Sequence, residues 1–190
     1  MRVAVVYPRR LHRVAEIFFA AATPAVKADL LQFIQAPAPV PGARCVQFYT
    51  SVIDLREQEE ELWRRIVKNT RYEIRRAGER DGIAYAAFDR PDPAAVDRFV
   101  CFYENFARTK GLPGLDPARL EAHSSAGTLD LSLVRKGAEE LVWHAYYRGS
   151  QRVRLLYSAS PLPSTTAPGL RSLLGRANRY HHWQDLLRFK

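Results

Sequence analysis

Near the carboxyl end of the sequence, Asn178, His181, His182 and Asp185 stand at i, i+3, i+4 and i+7, a spacing that sets all four on one face of a helix. An imidazole beside a carboxylate can take up a proton and return it, so His181 with Asp185 is a candidate acid–base pair. The same stripe is also what an ordinary hydrogen-bonded helix face looks like. His181 and Asp185 could chelate a cation, but no third strong ligand is evident, and no metal is expected. His144, between Trp143 and Ala145, reads as a satisfied sheet histidine rather than a base. Tyr157 and Ser158 end a strand-like run and could donate to a carbonyl or a leaving thiolate. Tyr157 also alternates with Leu155 and Val153, as a plain core residue does. The sequence has no G-x-S-x-G, no P-loop and no zinc-spaced cysteines.

A second pattern is cationic. Arg64, Lys68, Arg71 and Arg75 fall at i, i+4, i+7 and i+11, beside an apolar stripe of Trp63, Ile66, Val67, Thr70, Ile74 and Ala77. Four aligned cations repel one another unless something anionic faces them. Either they are a solvated face with partners elsewhere, or they form a contact line for phosphate, whose geometry the arginine fork suits. Tyr146, Tyr147, Tyr180 and Trp183 interleave with Arg148, Arg176 and Arg179. Such a set either stacks on bases or sits at the core edge under arginine stems.

The composition narrows the setting. The chain has 190 residues, 47% hydrophobic and 26% charged, which suits one globular domain and excludes wholesale disorder. Its longest apolar run, Ile17 to Ala22, is far too short to span a bilayer. Lys and Arg number 29 against 20 acidic residues, a net charge of +9, and this favours anionic partners. The excess is concentrated at 64–80, net +5, and at 135–190, net +7, with the remainder slightly acidic. No secretion signal opens the chain, so a cytoplasmic location is expected, with Cys45 and Cys101 as buried, reduced thiols.

These side chains need positioning elements. Residues 2–7 read as a strand, 9–35 as a patchy helical stretch, 36–43 as a proline-rich connector, and 44–53 as a strand. A helix is expected over about 55–80, started by Asp54 and Glu57 in the manner of a capping box, with a break near Asn69-Thr70. Then come a strand at 83–88, helices opened by Asp92-Pro93 and Asp116-Pro117, strands at 128–135, 140–148 and 152–158, and a last helix over about 170–189. The order implies an α/β fold with a mixed sheet and argues against a doubly wound dinucleotide fold.

The stretch 51–83 resembles a segment of the Fem-type peptidoglycan-bridge aminoacyltransferases and related acyltransferases of the GNAT superfamily. A strand ending in an acidic-leucine pair (Asp54-Leu55) leads there to a helix with a K-x-x-R-x-x-I-R-[KR]-A pattern before a glycine. Here these are Lys68, Arg71, Ile74, Arg75, Arg76 and Ala77, then Gly82. Residues 155–160 (LLYSAS) and 175–190, with R-x-N at Arg176 and Asn178 and then His182-Trp183, are similar to the same group. The resemblance implies a GNAT-like N-acyltransferase domain over 44–190, preceded by a segment at 1–43 and incomplete at the carboxyl end. An amine would attack an acyl or aminoacyl group on an anionic carrier, coenzyme A or tRNA. Acyl-CoA would be a co-substrate rather than a permanently bound cofactor. A homodimer or a partner chain would be one way to complete the sheet. The usual coenzyme A signature is departed from: Ser172-Leu-Leu-Gly175-Arg-Ala177 lacks the leading Gln or Arg. On this footing Tyr157, His181 and Asp185 are the expected catalytic residues, with Arg64, Lys68, Arg71, Arg75, Ser158, Arg176 and Asn178 on the binding side. The alternative is a non-catalytic remnant of the fold that binds RNA or another polyanion, or that a partner completes.

Overall fold

The computed structural model describes residues 4–22, 25–161 and 168–190. Its main platform is a four-stranded sheet, β4 (Ile83–Asp89), β5 (Leu129–Lys136), β6 (Glu139–Arg148) and β7 (Val153–Ala159), in that spatial order and antiparallel throughout. Side chains alternate across its two faces. One face presents Leu129, Leu131, Leu133, Trp143 and Ala145 to α3 (Pro93–Lys110) and α4 (Pro117–Ser125), where Phe99, Tyr103 and Leu120 complete a core. The other presents Val134 and Val142 to α5 (Pro168–Phe189), through Leu174 and Ala177. Between β6 and β7 the register shifts, Ala145 pairing Tyr157 but Tyr146 pairing Leu155, which leaves Leu156 as the bulge residue.

The helix signals after residue 90 act as expected. Asp92 and Asp116 accept from the amides of Ala95 and Arg119, at 2.7 and 3.2 Å, and Gly111 ends α3 in the left-handed region at φ 64°.

The first third differs from the sequence expectation. The described residues of 9–35 are not helical. They hold β2 (His12–Phe18) and β3 (Leu30–Ile34), which with β1 (Ala4–Arg9) form a small mixed sheet, β1 and β2 antiparallel, β2 and β3 parallel. From Val14 to Phe18 every residue is buried, so β2 lacks the alternation that marks a half-exposed strand. The small sheet docks on α4 and the α3-side face of the platform: Phe18 stacks on Tyr147, with centroids 3.8 Å apart and planes 11° apart. Glu16 ties the joint. It is 2% exposed and accepts from Tyr7 Oη (3.1 Å), Arg119 Nε (2.8 Å) and His123 Nε2 (3.0 Å). Burial alone would raise its pKa, but His123 and Arg119 hold it below the ordinary value.

Residues 44–53 form no strand. They run exposed, with Val46, Phe48, Tyr49 and Val52 largely in solvent, because no neighbouring strand pairs with them. Cys45 lies in this segment and Cys101 on the outer side of α3, so both thiols are exposed and unpaired rather than buried. The expected 55–80 helix is two helices, α1 (Glu59–Arg65) and α2 (Lys68–Glu79), broken where Ile66 and Val67 turn extended (ψ 132° and 147°). The break falls at this β-branched pair, ahead of Asn69-Thr70. Asp54 does not cap a helix; it pairs with Arg56. α2 packs closely on α5, where a Cβ on Gly78 would come within 3.1 Å of the Tyr180 ring.

Candidate functional site: a basic groove and a buried histidine–aspartate network

The break between α1 and α2 reshapes the cationic stripe. Arg64 stays on α1, exposed and paired with Glu61. Lys68, Arg71 and Arg75 move to α2, and with Trp63 and Tyr72 they line an open groove of about 510 Å³. The Arg75 guanidinium lies 5.3 Å from the Trp63 ring centroid. Lys68, Arg71 and Arg75 form no salt bridge among the described residues. The neighbouring acids serve other arginines: Glu57 meets Arg65, Glu73 meets Arg179, and Asp81 meets Arg176. Trp63 in turn packs on Trp183 of α5, with centroids 4.8 Å apart.

The other face of α5 carries the second feature. His181 and Asp185 point at the sheet, where β6 sets His144 beside them, and all three are at most 2% exposed. Asp185 accepts from His144 Nδ1 (2.7 Å), Tyr146 Oη (2.7 Å) and Tyr85 Oη (2.8 Å). Burial alone would push this carboxyl up, but His144 and its other neighbours hold it down at about 2. His181 Nε2 lies 2.8 Å from Ser132 Oγ. Burial, then repulsion from His144, lowers the His181 pKa well below 6.5, so the ring is neutral. His182, half-buried, is lowered to about 4 by the same two causes. His144 Nε2 and His181 Nδ1 are buried without a hydrogen-bond partner.

His144 supplies the third ligand atom that the helix spacing lacked: one atom each from His144, His181 and Asp185 lie within 4.8 Å of one another. The rings, however, stack face to face, with centroids 3.8 Å apart and planes 4° apart. The lone pairs of ring nitrogens lie in the ring planes, so in parallel rings they run side by side and do not converge on one ion. A cation fits here only after one imidazole turns. As it stands, the arrangement is a proton-holding network, with Asp185 fixing the Nδ1–H tautomer of His144.

The remaining expected site residues are spread out. Tyr157 pairs with Ala145 and packs toward α3, on the sheet face opposite His181 and Asp185, and its hydroxyl accepts from Arg119 Nη1 at 2.5 Å. The three expected catalytic residues therefore do not meet. Ser158 is exposed and pairs in register with His144. Arg176 is held by Asp81 at 2.5 Å, and Asn178 is half-buried on α5. Among the residues considered for base stacking, Tyr146 is bound to Asp185, Tyr147 is covered by Phe18, Arg148 meets Asp130, and Arg179 meets Glu73. They sit at the core edge. Tyr85 and Ser132 carry no signal in the sequence that marks them as network members, since only the sheet register brings them under α5.

No protein-family model matches the chain, and no curated protein matches it. Solved structures do. FemX aligns with a TM-score of 0.52 at 13% identity, over 71% of this chain and 49% of the FemX chain. The chain has a Fem-like fold. It spans about half the length of FemX. The carboxyl-terminal domain of a putative lysylphosphatidylglycerol synthetase from Agrobacterium fabrum aligns at a TM-score of 0.43 and 13% identity, over 70% of this chain and 40% of that one. Among the described residues, no helix is long and apolar enough to cross a membrane.

Proposed function

We propose that this Fem-like chain is an N-acyltransferase of the GNAT type, moving an acyl or aminoacyl group from an anionic carrier, acyl-CoA or aminoacyl-tRNA, to an amine. Residues 44–190 would form the transferase domain and 1–43 an appended segment. The groove carries this reading. Three cations without carboxylate partners and two aromatic walls fit a phosphate-bearing carrier, the guanidinium forks taking oxygens and the rings taking a base. Transfer would depend on holding donor and amine together, with hydrogen-bond donors at the developing oxyanion. The bulge at Leu156 and the exposed Ser158, on the edge strand of the platform and in register with His144, are the donors best placed for the acyl end.

The enclosure of His181 and Asp185, and the position of Tyr157 across the sheet, favour a second reading: a polyanion-binding protein without catalysis. Thermal shift against acetyl-CoA, coenzyme A and bulk tRNA separates the two. A response to coenzyme A alone supports the CoA-dependent enzyme. A tRNA response that fades with added salt supports the tRNA-dependent enzyme or the binding protein, which an acyl-transfer assay then distinguishes. Arg71→Glu should weaken the responding ligand roughly tenfold, the worth of a charge-assisted hydrogen bond. Unchanged affinity removes the groove from the site.

A further inference from the structure

The overall charge map hides a second basic feature. The residues outside 64–80 and 135–190 are slightly acidic in sum, yet β1 and β2 meet in a hairpin reading Pro8-Arg-Arg-Leu-His-Arg13, all of it exposed. Arg9 pairs with His12, so only Arg10 and Leu11 make the turn, and Arg10 takes φ 56°, a region that favours glycine. Leu11, at the tip, is 94% exposed. Neither Arg9 nor Arg10 forms a salt bridge among the described residues.

Beneath the hairpin lies an open cavity of about 650 Å³. Its lining combines Arg9, Arg10 and His12 of the hairpin with Leu30 of β3 and with Leu115 and Asp116 before α4. Leu30 is 51% exposed, a large apolar side chain that the described residues leave half uncovered. Asp116 forms no salt bridge with either arginine among the described residues; its carboxylate accepts from the amide of Arg119, at the start of α4, and leaves the lining with a net excess of positive charge. A cavity lined by both apolar side chains and guanidinium groups selects against two kinds of ligand. A bare anion leaves Leu30 and Leu115 wet, and a neutral hydrocarbon leaves the arginines unpaired.

We infer that this cavity binds an amphiphilic phosphate, its phosphate or pyrophosphate held by Arg9 and Arg10 and its alkyl portion laid on Leu30 and Leu115. The site is separate from the α1–α2 groove. The hairpin sheet docks on the α3–α4 side of the platform, whereas α1 and α2 pack on α5 across it. One small ligand cannot touch both, so the two sites fill independently, and the inference stands or falls apart from the proposed transferase activity.

Isothermal titration calorimetry of the full chain tests it with hexyl phosphate, inorganic phosphate and hexanol. Hexyl phosphate should bind at one site per chain, roughly tenfold tighter than inorganic phosphate, and hexanol should not bind detectably. Arg10→Glu should weaken hexyl phosphate roughly tenfold. Leu30→Asp should abolish the advantage over inorganic phosphate, and Arg71→Glu should change neither. All three positions are exposed or half-buried, so the variants should fold. No binding of hexyl phosphate overturns the inference. So does binding no tighter than phosphate, or loss in Arg71→Glu but not in Arg10→Glu. Co-sedimentation with phosphatidylcholine vesicles, with and without phosphatidate, identifies the source. Capture by phosphatidate vesicles that Leu11→Ser reduces means the ligand is presented by a bilayer. Hexyl phosphate binding without vesicle capture means a free molecule.

Discussion

Removing the carboxylate of Asp185 should be the most costly single change in the α5–sheet layer. Three donors, from His144, Tyr146 and Tyr85, converge on it at 2.7 to 2.8 Å in a site that solvent does not reach. Asp185→Ala strands all three. A buried unsatisfied polar group costs about 1–3 kcal/mol, and breaking a buried charged network costs about 3–5 kcal/mol in total after relaxation. In a chain of this size 1 kcal/mol moves the melting temperature by about 2–4 °C, so a fall of about 10 °C is expected at pH 7. Asp185→Asn keeps the shape and one acceptor and should cost about half as much. The acid limb gives an independent reading. Because the folded carboxyl is depressed, from 3.8 to about 2, it contributes stability that is full above pH 4 and disappears as pH falls toward 2. That gap corresponds to about 2 kcal/mol. Denaturant titrations at a series of pH values should show this limb in the parent chain and not in Asp185→Asn. An Asp185→Ala protein melting within about 2 °C of the parent, or parallel acid limbs in the two proteins, would refute the reasoning.

His181 and His182 act at higher pH. Both are depressed below 6.5, facing His144, Asp185 and each other, so the unfolded chain binds more protons and stability should drain away as pH falls from 6.5 toward 4. Urea midpoints at pH 7 and pH 5 should differ less in His182→Gln than in the parent; an equal difference means His182 is not a contributor. Glu16→Ala should destabilise by about 3–5 kcal/mol, because Arg119 and His123 lose the carboxylate between them. Calorimetry giving less than about 1 kcal/mol would mean that the small sheet is not anchored there. Phe18→Ala, removing the ring stacked on Tyr147, should cost about 3–5 kcal/mol. Its cost should add to that of Glu16→Ala only partly, since both hold the same joint.

From Ile83 onward the elements were legible because each signal is local: Asp-Pro starts, a glycine stop, and apolar periods that match one buried face. The N-terminal strands were not. Val14 to Phe18 are covered on both faces, so the apolar residues on either side of Glu16 do not alternate with polar ones, a pattern that a helix could equally produce. Residues 44–53 show the reverse error, strand chemistry with no strand beside it, since β-propensity reports fitness for a sheet and not the presence of one. Within the site, the spacing of His181 and Asp185 on α5 was readable. Their partners were not: Tyr85, Ser132, His144 and Tyr146 lie on three strands and join only through register and helix placement. The Lys68–Arg75 line was visible, but its severance from Arg64 required Ile66 and Val67 to unwind.

Among the described residues the platform's last strand, β7, pairs on one side only, and the exposed run 44–53 passes close enough for Arg154 to lie 5.9 Å from the Phe48 ring centroid. An edge strand next to an exposed ribbon carrying Val46, Phe48, Tyr49 and Val52 invites molecules to stack on one another. Arginines at 152 and 154 are what stand guard, by mutual repulsion between approaching copies. Dissolved electrolyte weakens that guard within about 10 Å at 0.1 M. Concentrated stocks of this protein should therefore stay clear in dilute buffer and turn cloudy as sodium chloride is added, the opposite of the usual salting-in habit.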